Sequence, residues 1–90
     1  MHIEVGKIYE LIHSNVVETV VFNLEFEEIA RLSLGQTFVA LELIGEFETT
    51  AEYQSIYPKN NKIFKVKILT SEGKVGFCSF WASEIKIVEN

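Results

Sequence analysis

The 90-residue chain contains no aspartate, one arginine, one cysteine and one proline, and its five glycines are scattered. Each scarcity excludes something. Cys78 has no second thiol with which to form a disulfide and no cysteine companions with which to hold zinc, so it reads as a small buried hydrophobe. So little proline and glycine, with 48% hydrophobic residues, argues against a disordered or low-complexity stretch. No apolar run approaches the ~20 residues that a bilayer crossing needs. The opening Met-His-Ile-Glu-Val-Gly lacks the cationic-then-apolar layout of a secretion signal. A cytoplasmic protein with no membrane partner is therefore expected.

Catalytic patterns are scarce as well. There is no glycine-rich phosphate loop, no Cys-x-x-Cys and no His-x-x-x-His, and His2 and His13 fall in a terminus and a turn. General acid–base work by carboxylates needs a cleft that shifts their pKa values, and nothing in the spacing of the glutamates argues for one. The expectation is a non-enzyme without cofactor or metal.

What is present is a mainly β pattern. Short runs rich in β-branched and aromatic residues are separated by polar punctuation, which fits a single domain over residues 1–90. Ile3 to Ile12 reads as a strand broken at Gly6, and residues 16–24 as a second, with Val16, Val20, Phe22 and Leu24 on one face and Val17 and Val21 on the other. In "EFEEIARLSLG", Phe26, Ile29, Ala30 and Ser33 fall on helical spacing, with Asn23 as N-cap, glutamates in the first turn and Gly35 as the stop, so a short helix is expected there.

Residues 36–50 alternate, with Val39, Leu41, Leu43 and Phe47 on one face. Residues 62–70 place Phe64, Val66 and Ile68 opposite Lys65 and Lys67. An antiparallel register in which paired residue numbers sum to 113 sets Glu46 against Lys67 and Glu48 against Lys65. "SEGK" (71–74) is a tight turn into "VGFCSFWA", and "ASE" (82–84) turns the chain into a last strand. About six strands and one short helix suggest a small antiparallel barrel.

"ARLSLGQTFVALE" (30–42), "SEGKVGFCS" (71–79) and "ASEIKIV" (82–88) together resemble the pattern of SH3-like small barrels over residues 30–90. In that family a Leu-Ser-apolar stretch leads to a glycine and a strand, and a Gly-x-x-Gly-aromatic strand ends in a short helical turn and a last strand. The resemblance implies an SH3-like barrel shape. It implies no ligand residue, because the glycine follows Leu32-Ser33-Leu34 directly and the strand before the final turn lacks the proline and tyrosine of a proline-rich peptide groove.

Charge is unevenly spread. Residues 1–57 carry ten glutamates against Lys7 and Arg31, net −8, while residues 58–90 carry six lysines against three glutamates, net +3. Such polarity can steer a charged partner or favour self-association. In the strand after Lys74 both faces carry a large ring, and Phe77 and Trp81 rank ahead of Phe80 for the core. Three binding functions are compatible with these residues. The first is a protein-binding module or small regulator or inhibitor, of the kind found among bacterial or phage accessory proteins, docking through Phe80, Trp81, Glu25, Glu27 and Glu28. The alternative is a homo-oligomeric, sequestering binder of a small anionic ligand such as a nucleotide, held by Lys59, Lys62, Lys65 or Lys67 with Tyr53 and Tyr57. Single-strand nucleic-acid binding ranks last, since backbone binding depends on neutralising phosphates and this chain is acidic.

Overall fold

The computed structural model describes residues 2–13, 19–48 and 62–88. They form one antiparallel sheet of seven strands: β1 (Ile8–Leu11), β2 (Thr19–Phe22), β3 (Glu28–Leu32), β4 (Thr37–Glu48), β5 (Lys62–Thr70), β6 (Val75–Trp81) and β7 (Ile85–Ile87). A one-turn 3-10 helix, Ala82–Glu84, joins β6 to β7. The strand order is β3-β2-β6-β5-β4-β1-β7, so β4, β5 and β6 form a central meander and β3 and β7 are the outermost of the described strands. The sheet curls strongly and does not close into a barrel. Among the described residues no helix is long and apolar enough to cross a membrane.

The curl wraps the sheet around a core of Tyr9, Leu11, Val21, Leu32, Phe38, Ala40, Phe64, Val66, Ile68, Cys78, Phe80 and Ile85. A stack of rings runs through it. Phe38 lies 4.8 Å from Phe80 at an interplanar angle of 4°, and 5.9 Å from Tyr9 on its other side. The Tyr9 hydroxyl accepts from the Glu4 N–H at 2.8 Å, so the one polar side-chain atom of the stack is satisfied.

Three expectations are corrected here. Residues 26–33 do not form a helix but a turn followed by β3. Asn23 does cap, yet it caps a hairpin: its Oδ1 accepts from the N–H groups of Glu25 and Glu27, both at 2.9 Å. The Phe26 N–H reaches the Asn23 carbonyl at 3.1 Å, and the Asn23 N–H reaches the Glu27 carbonyl at 3.0 Å. This is a turn closed by a residue in the left-handed region, and that residue is Phe26 at φ 60°. The strand pairs offered by β2 outcompete the local helical spacing.

The register of β4 on β5 is also different. Partner numbers sum to 108 at Phe38–Thr70, to 109 at Leu43–Val66 and to 110 from Gly45–Lys65 onward, because β4 carries two bulges, one between Ala40 and Glu42 and one between Leu43 and Gly45. The first bulge changes which parity faces inward. Phe38 and Ala40 are buried before it and Leu43 packs on the core after it, so the single inward face of Val39, Leu41, Leu43 and Phe47 does not form. Finally, β6 buries Cys78 and Phe80 rather than Phe77 and Trp81. Its inward parity follows from β5, whose buried Phe64 and Val66 pair with Phe80 and Cys78.

Candidate functional site

The outward face of the central meander is not a solvated polar surface. Cross-strand pairing builds it in three rows. Phe47, Ile63 and Trp81 form the first; Gly45, Lys65 and Ser79 the second; Glu42, Lys67 and Phe77 the third, which β2 extends through the pair Phe22–Phe77. A polar row therefore lies between two rows that carry rings. The curl of the sheet turns this face into a groove of about 1120 Å³, and the β2–β3 hairpin forms one wall through Phe22, Leu24 and Phe26.

Gly76 sets how closely that wall approaches. A Cβ there would lie 2.6 Å from Val21 Cγ1, 2.8 Å from Ile29 Cδ1 and 2.8 Å from the Phe22 carbonyl oxygen. Only a residue without a side chain lets the hairpin cross β6 at this distance. Lys74 adds a tether, its Nζ donating to the Ile29 carbonyl at 3.1 Å. At the far end of β6 the Trp81 N–H donates to Glu84 Oε1 at 2.8 Å, which gives the buried Glu84 carboxylate a partner and fixes the turn into β7.

The apolar side chains of the groove are open to water. Leu24 and Phe26 are 77% and 80% exposed, and Phe22 and Ile44 are exposed as well. A bulky residue in the left-handed region carries a cost of about 1–2 kcal/mol, and Gly would carry none. Phe26 thus combines backbone strain with an uncovered ring.

Charge on this face is just as uneven. Lys62 donates to Glu46 Oε1 at 2.8 Å, and that hydrogen bond holds the Glu46 carboxyl below its usual range. Lys65 and Lys67, the groove lysines, make no ion pair among the described residues. The partners expected for them, Glu48 and Glu46, are displaced by the bulges: Gly45 stands opposite Lys65 and Glu42 opposite Lys67.

The sequence-predicted site residues are therefore redistributed. Phe80 is fully buried in the ring stack although it borders the groove, and Trp81, only partly buried, lines the groove as well. Glu25, Glu27 and Glu28 are exposed, with Glu25 and Glu27 on the hairpin tip rather than in a helix, and Glu28 pairs with Arg31 at 2.8 Å. Lys65 and Lys67 face the groove, and Lys62 does not line it. Tyr53, Tyr57 and Lys59 lie outside the described residues. Sequence reasoning missed Phe22, Leu24, Phe26, Ile44 and Ile63, although Phe22, Leu24 and Phe26 alternate with Asn23, Glu25 and Glu27 at a period of two, the signature of a strand pair rather than of a helix.

Among the described residues no group of three or more His, Cys or Glu side chains could hold a metal ion. Burial pushes the Cys78 thiol well above its ordinary range, aided by the nearby Glu84 charge, so it stays protonated and weakly nucleophilic at neutral pH. No family model, no curated protein and no solved structure matches the chain.

Proposed function

We propose that this protein is a non-catalytic binding module of SH3-like barrel shape, and that the groove between the β2–β3 hairpin and the outer face of β4, β5 and β6 docks an extended segment of a larger protein partner. The shape is supported by the glycine-containing aromatic strand β6, which ends in a short helical turn and a last strand. The docking role is supported by one observation above all: Phe22, Leu24, Phe26 and Ile44 are exposed together around a single groove. An apolar patch of this kind, bordered by charge, is the usual mark of a protein interaction surface.

A photo-crosslinking residue in place of Ser79, on the groove floor, is expected to capture one partner protein in the producing cells. The same residue in place of Lys86, exposed on edge strand β7, should not. Equal capture from both positions would remove the groove from the reading.

A second reading is favoured by Lys65 and Lys67, which lie between rows of rings and make no ion pair among the described residues. This is the capture of a small anion, such as a nucleotide, between the two ammonium groups and the aromatic rows. Native mass spectrometry of the protein as isolated separates the two. A reproducible small added mass that disappears in Lys65→Glu with Lys67→Glu favours anion capture, and a bare chain or a protein complex favours the first reading.

A further inference from the structure

The hairpin tip has the chemistry that the groove lacks. It presents Leu24 and Phe26, both largely exposed, interleaved with Glu25 and Glu27, whose side chains make no ion pair among the described residues. The groove presents rings on either side of Lys65 and Lys67. Tip and groove lie on the same side of the molecule, since Leu24 and Phe26 also border the groove.

From this complementarity of charge and apolar surface we propose that the natural occupant of the groove includes a second copy of this chain. The two copies pair about a two-fold axis with each tip seated in the other's groove. In such an isologous interface every contact is made twice, and the assembly closes as a dimer instead of growing into a fibre. Leu24 and Phe26 become the apolar anchors, while Glu25 and Glu27 approach Lys65 and Lys67 of the other copy. The strained left-handed Phe26 then has a reason to be there, because the turn aims its ring outward at the position where it is covered only on pairing. This pairing is separate from the partner-docking reading and would stand without it. Where both hold, they compete for one surface.

Sedimentation velocity of the full chain, from micromolar to millimolar, tests it. The expected result is a concentration-dependent dimer that weakens as salt rises, since charge contributes to it. Phe26→Gly removes the anchor and at the same time relieves the left-handed backbone, so the chain stays folded and is expected to sediment as a monomer at every concentration. Glu25→Lys with Glu27→Lys, and separately Lys65→Glu with Lys67→Glu, should each weaken pairing by about tenfold or more. An equimolar mixture of these two charge-reversed proteins should regain the wild-type dimer, because every tip then meets a groove of opposite sign. Circular dichroism of each variant confirms the fold. Wild-type chain that remains monomeric to millimolar, a dimer that survives Phe26→Gly, or a mixture that fails to pair better than its components would each overturn the proposal.

Discussion

The two faces of the β4–β5–β6 meander are built from the same three strands and differ in what surrounds them. On the inner face Phe64, Val66, Ile68, Cys78 and Phe80 are buried and the rings stack. On the outer face Ile63, Phe77 and Trp81 are only partly covered, and Lys65, Lys67 and Ser79 share the surface with them. Both faces are rich in rings, so hydrophobicity alone does not separate core from site. Neighbouring strands do. The middle of one face of β5, Phe64, Val66 and Ile68, is wholly apolar, and antiparallel pairing forces the residues of β6 opposite it to the same side.

The sharpest way to break this comparison is to remove one ring from each face. Phe80→Ala empties a fully buried position in the ring stack and is expected to cost about 3–5 kcal/mol. A domain of this size has about 5–13 kcal/mol in all, so the loss is a large fraction of it. Phe77→Ala, on a half-covered position, should cost about 1 kcal/mol. Urea unfolding measures both. If Phe77→Ala destabilised as much as Phe80→Ala, the outer face would be a second core and not a docking surface.

Next in size is the junction that joins the faces. Gly76→Ala would set a methyl group against Val21, Ile29 and the Phe22 carbonyl, and a carbonyl oxygen 2.8 Å away cannot rotate aside. The expected cost is about 1–3 kcal/mol. Because, among the described residues, β2 pairs with β6 only through Phe22 and Phe77, the damage should stay local. Hydrogen exchange is expected to quicken at the hairpin amides of Asn23 and Phe26 while the amides of β5 keep their protection. Uniform loss of protection across both regions would show that the hairpin is integral to the core and not a wall built onto it.

What could be read from the sequence follows the same division. The alternation of β5 was plain because Lys65 and Lys67 interleave with Phe64, Val66 and Ile68, and it predicted the inner face correctly. The turn at 71–74 and the break at 82–84 were visible from their residue types, and both are present. β6 was ambiguous because rings occupy both parities, and only its partner resolves it. The register of β4 was hidden in its bulges, although an isolated Gly45 within an alternating run is a recognised bulge signal. The hairpin tip was misread because Asn23 followed by glutamates caps a helix and a turn equally well, and the choice lies in the pairing of β3 with β2.

The smallest expected effect compares lysines on one strand. Lys62 has the parity of the inner face and bonds Glu46, whereas Lys65 and Lys67 face the groove without ion pairs among the described residues. The Glu46 carboxyl is held below its usual value of 4.5 by the Lys62 hydrogen bond. A carboxylate depressed on folding contributes stability that is present above its unfolded value and is lost as pH falls through the lower folded value. The contribution should therefore persist at neutral pH and disappear on the acid side of 4.5. Carboxyl-carbon NMR titration of Glu46 is expected to show the midpoint return upward in Lys62→Met and stay in place in Lys65→Met and Lys67→Met. High salt should erode only part of the shift, because its first cause is a direct hydrogen bond. A midpoint that moved with Lys65 would mean that the groove lysines share the acidic residues of the chain, and the charge available to an incoming tip or ligand would be correspondingly smaller.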